Sequence, residues 1–232
     1  IGVALAAPVA IGDHMIAIPG VMPGWDGFDI VSPLSATFNT PVYVDNDANY
    51  AAYCESRMGA AIGKRDFVYI STNDNVGAGI VAGGEIMHGV TGLAGEIGHI
   101  HVMEGETEAC NCGGHGCLEQ VASATGIART ARRMLAADSR PSSLRSLKNI
   151  SAKNVLDAAK AGDELALDSL NKSCYYLGWV LATLSMVLDP QAYIIGGGVS
   201  KAGTFLTDMI KKYHDELSPM ATKKADIVLA KL

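Results

Sequence analysis

Massed positive charge is missing from this chain: Lys and Arg number 18 against 24 Asp and Glu, a formal net charge of −6. Apart from short runs such as Arg132-Arg133 and Lys223-Lys224 the cations are scattered, so there is no basic stripe for gripping a nucleic-acid backbone. An acidic surface favours small-molecule work. A membrane-length apolar run is missing too. The most apolar stretch, residues 175–188, is broken by Gly178, Thr183 and Ser185 and stops at Asp189-Pro190, too short to cross a bilayer, and it reads as a buried helix. The chain has no basic opening segment followed by an apolar core, no internal repeat and no low-complexity tract. Cysteine is scarce, five in 232 residues, and an odd count with metal-ligand spacing fits a reducing compartment, so a cytoplasmic protein is expected.

What is present is a hydrophobic fraction of 49%, enough for a substantial core. Strands are expected at 1–5, 15–18, 42–45, 67–71, 78–82, 100–103, 192–195 and 227–229, where β-branched residues sit between Gly, Asp or Pro. Helices are expected at 48–58, 124–137, 152–161, 164–188 and 204–217 from their apolar spacing. The class is α/β, with loops expected at 139–143 and 20–27. Because the chain opens and closes directly in strand patterns, segments are expected to be missing on both sides.

Three of the five cysteines, Cys110, Cys112 and Cys117, fall in one window behind Glu96 and His99, and Cys117 leads into Leu118-Glu119. One imidazole and three thiolates are the ligand count of a closed tetrahedral zinc site, and Asn111, Gly113, Gly114 and Gly116 let the backbone curl around an ion. The simpler reading, Cys110 and Cys112 as free surface thiols and His99 as a core histidine, is weakened by the clustering, whereas Cys54 and Cys174 sit alone in apolar helical patterns where a small buried hydrophobe is expected. His101 and His115 are rival fourth ligands to His99. Four protein ligands leave no open position, so the zinc is expected to be structural.

Val44-Asp-Asn-Asp-Ala-Asn49 runs a strand into a helix and delivers Asn46 and Asp47 at its tip, where open α/β sheets bind ligands. Alone, Asn-Asp at this place is a helix N-cap. Joined to Glu96, His99 and Glu119 it supplies the carboxylates, amide and imidazole that a polyhydroxylated ligand such as a sugar needs. Ile194-Ile-Gly-Gly-Gly-Val-Ser200 empties a strand into Gly196, Gly197 and Gly198, with Ser200 expected to cap the next helix. Thr72-Asn-Asp-Asn-Val-Gly-Ala-Gly79 reads as a hairpin whose backbone N–H groups, around Asn75 and Gly77, could also wrap a phosphate.

As a set these residues resemble the ROK family of repressors, open reading frames and kinases, over nearly the whole chain. Gly95-Glu-Ile-Gly-His99 looks like the family's sugar-binding signature and Cys110-x-Cys-Gly-x-x-Gly-Cys-Leu-Glu119 like its zinc motif; both are highly specific. The resemblance implies the two-domain actin-like ATPase (ribonuclease H-like) fold with its N-terminal part missing. Residues 1–45 would be the remainder of a small domain, and 46–232 a large one with a zinc-binding insertion at about 96–119. It further implies that Asn46, Asp47, Glu96, His99 and Glu119 hold a hexose or N-acetylhexosamine, with zinc on His99, Cys110, Cys112 and Cys117. Asp47 would be the general base of ATP- and Mg²⁺-dependent phosphoryl transfer. Asn75, Gly77, Gly196, Gly197 and Gly198 would sit on the ATP side. Family members commonly form homo-oligomers. The chain departs from the pattern at Asn73-Asp-Asn75, where kinases carry Gly-Thr-Gly, at Ala6-Ala-Pro8 in place of Pro-Gly-Pro, and in lacking the Asp-x-Gly-Gly-Thr phosphate motif. A glucokinase-like hexose kinase is therefore expected, with a sugar-sensing transcriptional regulator of the same family as the alternative.

Overall fold

The computed structural model describes residues 1–10, 12, 15–16, 22–218 and 225–232. Strand β1 (Gly2–Leu5) and strand β2 (Tyr43–Asn46) pair in parallel with Leu5 opposite Asn46, and helix α1 (Val31–Phe38) lies in the crossover between them. Their small core is Leu5, Val9, Val42 and Val44, with Trp25, Val31 and Leu34 packed against it. Helix α1 is absent from the sequence expectation, because its short apolar span begins two residues before Pro33 and buries no residue fully. Of the strand expected at 15–18, residues 17 and 18 lie outside the described residues, and Ile16 forms an isolated bridge with Val9. Residues 20 and 21 of the expected 20–27 loop lie outside them as well.

Strand β2 runs without a break into helix α2 (Asp47–Met58). The chain then builds a five-stranded sheet from β3 (Phe67–Thr72), β4 (Val76–Ala82), β5 (Glu85–Ile86), β6 (Ala192–Gly196) and β7 (Asp226–Leu229), in spatial order β5-β4-β3-β6-β7. Strands β3 and β4 form the expected hairpin, whereas β3, β6 and β7 run parallel. Alternation along the central strands divides the interior. Phe67, Tyr69, Ala192 and Ile194 face α2 through Ala48 and Ala52. Val68, Ile70, Tyr193 and Ile195 face the larger core built by helices α3 (Glu119–Ala122), α4 (Ala124–Ala137), α5 (Ala152–Lys160), α6 (Glu164–Leu188) and α7 (Thr204–Leu217). Each large aliphatic side chain so buried contributes on the order of 2 kcal/mol.

Two details set the site. A Cβ at Gly79 would lie 2.4 Å from the Ala48 carbonyl oxygen and 2.7 Å from the Ala52 Cβ, so only glycine allows α2 to rest on β4 this closely. The register Ser71↔Gly196 brings the carboxyl ends of β3 and β6 side by side, the edge of a parallel pair where ligands bind.

The strand expected at 100–103 does not form. Ile97–His99 is a 3-10 turn, His101 bridges Cys117, and the Val102 and Met103 N–H groups both donate to the Gly116 carbonyl, so the apolar run is spent on holding the cysteine loop. Ser200 does not cap the next helix either. Its hydroxyl donates 2.7 Å back to the Gly197 carbonyl, and a 3-10 turn, Val199–Ala202, intervenes before α7. Among the described residues no helix is long and apolar enough to cross a membrane.

Candidate functional site

At the β2–α2 junction Asn46 is a helix cap, its Oδ1 accepting from the Ala48 N–H at 2.9 Å, a bond worth about 1 kcal/mol to the helix. Its amide nitrogen donates to the Ala7 carbonyl at 3.2 Å, so the tip is tied to the segment leaving β1. Asp45, one residue earlier, locks the tip from behind: it accepts from the Asn46 N–H at 2.7 Å and from Asn49 Nδ2 at 2.8 Å, and pairs with His88 Nε2 at 2.8 Å. Sequence reasoning passed over Asp45 and His88. A lone histidine in a loop carries no spacing signal, and only the fold brings it to β2. Asp47 is left as the surface-accessible carboxylate at the start of α2. Burial pushes its pKa up, and the backbone N–H groups of Ala48 and Asp47 only partly oppose this.

Glu96 and Glu119 reach the same place from the other side. His99 Nε2 lies 3.7 Å from Glu96 Oε2, and His99 Nδ1 lies 3.7 Å from Glu119 Oε1. Burial raises the Glu96 pKa above the usual carboxylate range, His99 draws it back, and the charges of Glu119 and Asp47 raise it again. Three carboxylates and one imidazole thus share one field in a partly desolvated pocket, an arrangement that favours a ligand offering several hydroxyl donors.

The cysteines complete the cluster. A tetrahedral zinc with Zn–S of about 2.3 Å and Zn–N of about 2.0 Å has edges of about 3.8 Å between sulfurs and about 3.6 Å between sulfur and nitrogen. Here Cys112 Sγ and Cys117 Sγ are 3.6 Å apart, Cys110 Sγ and His99 Nδ1 are 3.6 Å apart, and all four donor atoms lie within 4.8 Å of one another. The donor set fits the ion. It does so through Nδ1, which leaves Nε2 of His99 facing Glu96. Of the rival histidines, His101 Nδ1 bonds the His115 carbonyl at 2.7 Å, and the cluster of donor atoms takes in His99 and neither rival ring. Without a cation, burial raises the Cys110 and Cys117 thiols, while the Gly114 N–H lowers Cys112, and Cys110 donates to Glu119 Oε1 at 2.9 Å. Loop 104–109 is clamped onto α4 by Glu106 and Glu108 pairing with Arg129 and Arg133. Gln120 accepts from the Cys117 N–H at 3.1 Å and donates to the Glu108 carbonyl at 3.0 Å.

The residues expected on the nucleotide side also meet. The β3–β4 hairpin tip lies against the turn after β6: Thr72 Oγ1 donates to the Gly196 carbonyl at 2.6 Å and Gly198 N–H donates to Asn73 Oδ1 at 2.6 Å. Gly197 has φ +86°, and a Cβ there would meet Thr72 backbone at 2.6 Å, so the turn requires glycine. Asn75 is exposed at the tip, its carbonyl accepting from the Asn73 N–H at 3.0 Å. Gly77 pairs with Ser71 and sits against Ala48, the residue after Asp47, so the hairpin adjoins the carboxylate tip. The Gly92–Leu93 turn packs over the Val9 carbonyl at the other rim.

Comparison with known proteins adds to this geometry. The family model described as "ROK family" matches residues 1–232. A glucokinase of Halalkalibacterium halodurans is 42% identical over 242 residues, covering 100% of this chain and 72% of the relative. Among solved structures, a ROK family glucokinase from Streptomyces griseus in complex with glucose and AMPPNP superposes with a TM-score of 0.88 at 31% identity, covering 100% of this chain and 76% of that one. A ROK family transcriptional regulator, homologous to the Escherichia coli MLC protein, superposes with a TM-score of 0.87 at 29% identity, with 100% and 58% covered. The architecture is that of the ROK sugar kinases, an actin-like ATPase fold.

Proposed function

This chain belongs to the ROK family, and on that premise we propose that it carries the sugar site and catalytic base of an ATP-dependent hexose kinase. The observation that carries the reading is the convergence of Asp47, Glu96, His99 and Glu119 in one partly desolvated field next to the hairpin that holds Asn75 and Gly77. In this reading Glu96, Glu119, Asn46 and His99 Nε2 hold sugar hydroxyls. Asp47 accepts the proton of the attacking hydroxyl as that oxygen moves in line onto the γ-phosphoryl group. Partial desolvation raises the Asp47 pKa and makes it a somewhat stronger base, but positioning supplies most of the rate, because the hydroxyl becomes acidic only as its bond to phosphorus forms. The nucleotide brings Mg²⁺, which neutralises phosphate charge; Asn75, Gly77, Gly196, Gly197 and Gly198 line its side of the cleft.

His99, Cys110, Cys112 and Cys117 would hold a structural zinc, with no chemistry of its own. With Cys110 held as a thiolate by that ion, its hydrogen bond to Glu119 would be given up and the Glu119 oxygen would be free for a sugar hydroxyl. Metal ligation through Nδ1 also fixes the tautomer that His99 presents to the sugar. The same reading takes residues 1–45 as part of a small domain and 46–232 as a large one, in line with their separate cores. A cytoplasmic location suits three thiols kept reduced for a metal.

A second reading, a sugar-sensing regulator without kinase activity, is favoured by Asn73-Asp74-Asn75 standing where kinases have Gly-Thr-Gly. A coupled ADP-release assay on the complete protein with glucose and N-acetylmannosamine separates the two. Turnover supports the kinase; saturable sugar binding without ADP release supports the regulator.

A further inference from the structure

We infer that Asn73 is a latch across the nucleotide side: its amide oxygen occupies the Gly198 N–H and must let go before a nucleoside triphosphate can seat. This rests on the kinase reading above and adds to it a residue that sets nucleotide affinity.

An N–H pointing out of a glycine turn at the carboxyl end of a parallel strand is a group that phosphate oxygens accept from. At Gly198 that donor is already taken, at 2.6 Å, by Asn73 Oδ1. The residue is held in this pose by two main-chain bonds and one further side-chain bond. The Asn73 N–H donates to the Asn75 carbonyl at 3.0 Å, the Asn73 carbonyl accepts from the Ala124 N–H at 2.7 Å, and Nδ2 donates to Ser71 Oγ at 3.2 Å. Thr125 Oγ1 pins the neighbouring Asp74 carbonyl at 2.9 Å, so the start of α4 fixes the hairpin tip as a unit. The amide also fills the space beside the turn, since a Cβ built on Gly198 would lie 3.5 Å from Asn73 Oδ1. A glycine at 73 would leave both the N–H and that space open. The chain has instead joined hairpin and glycine turn into a closed rim with a neutral bond.

A neutral bond of this kind can be displaced. A phosphate oxygen accepts from an N–H more strongly than an amide carbonyl does, so the donor still binds, less tightly than it would with the N–H free. Losing one neutral hydrogen bond to the competition corresponds to a three- to tenfold weakening, roughly. Among the described residues Asn73 bonds Ser71, Asn75, Ala124 and Gly198 and none of the sugar-side groups, so sugar affinity is expected to stay unchanged.

The test measures the dissociation constant of a non-hydrolysable Mg²⁺–ATP analogue and of glucose on the complete protein. Asn73→Ala removes the amide and keeps the main-chain bonds; it is expected to bind the nucleotide about three- to tenfold tighter with glucose affinity unchanged. Asn73→Ser, too short to reach Gly198, should change affinity in the same direction. Asn73→Asp keeps the acceptor and adds a charge beside the phosphates, so it should bind nucleotide about tenfold more weakly. Nucleotide affinity that is equal or lower in both Asn73→Ala and Asn73→Ser overturns the latch, while turnover by the wild type in that same case keeps the kinase reading. If wild type and variants bind glucose but no nucleotide, latch and kinase reading fall together.

Discussion

On the proposed sugar side of the cleft, Asp47, Glu96, His99 and Glu119 arrive from three separate stretches of chain and meet as ionisable groups within each other's fields. On the proposed nucleotide side, the hairpin tip meets the turn after β6 through one hydroxyl, one neutral amide and backbone groups, and meets α4 through a second hydroxyl. The first wall depends on geometry imposed from outside, because like charges repel and desolvated carboxylates are costly unless something holds them. That something is the cysteine loop, itself clamped to α4 through Arg129 and Arg133 and to α3 through Gln120. The second wall holds itself together and sets how readily it opens. One side is therefore expected to fail sharply when a single group is lost, and the other to respond in small graded steps.

Asp47→Asn should break the contrast most severely. The carboxamide keeps the volume and can still meet a hydroxyl, but it cannot take a proton, so turnover should fall about 10²- to 10⁴-fold with sugar affinity nearly unchanged. Steady-state kinetics beside calorimetric sugar titration read the two quantities apart. Equal losses in both would make Asp47 a binding group only. Next in size is the metal. Cys112→Ser should lose about one zinc per chain by elemental analysis and weaken sugar binding about 10- to 100-fold, because His99 and Glu119 lose their common anchor. Full metal content, or full sugar affinity in metal-free protein, would separate the cysteine loop from the sugar wall.

The two walls also differed in how far the sequence disclosed them. Glu96, His99 and the cysteines declare themselves by type and spacing, since ligand chemistry tolerates few substitutes and the intervals are short. Asp47 was legible only in company: a strand ending in Asn-Asp before a helical pattern reads alone as a helix cap, and Glu96, His99 and Glu119 turned it into a candidate ligand tip. The apolar, β-branched runs of β3 and β6 likewise disclosed two strands, because both are buried on both faces. What stayed hidden depends on contacts between distant stretches. The His88–Asp45 pair spans 43 positions and the Asn73–Gly198 bond 125, and neither residue type predicts its partner. The strand misread at 100–103 and the helices α1 and α3, both eight residues or fewer, fall where local pattern is shortest and tertiary demands decide.

His88→Ala should give an intermediate effect. Removing the ring leaves Asp45 Oδ2 without its 2.8 Å partner and loosens the tip from behind, so turnover should drop about three- to tenfold with sugar affinity almost unchanged. His88→Gln, which can still donate, should recover much of that loss. An identical defect in both variants would mean that ring packing, not the bond to Asp45, positions Asp47.

The smallest expected effect concerns the cost of the charged wall in the absence of sugar. Glu96 has a pKa raised in the folded protein, chiefly by burial. Its folded value therefore lies above its unfolded one, and over the interval between them the folded state binds more protons than the unfolded. Stability from this group is fully present below the unfolded value of about 4.5 and is lost as pH rises through the folded value. Glutamine carries no such loss. Glu96→Gln should thus melt slightly higher than wild type at pH 7, and the gap between the two should close as pH falls toward 4. Saturating glucose should reverse the order at pH 7, since the ionised carboxylate regains through sugar hydroxyls what it lost in desolvation. Thermal midpoints across pH 4 to 7, with and without sugar, measure all of this. A Glu96→Gln midpoint below wild type at pH 7 without sugar would mean that the carboxylates are held by favourable partners rather than strained together, and the contrast between the two walls would dissolve.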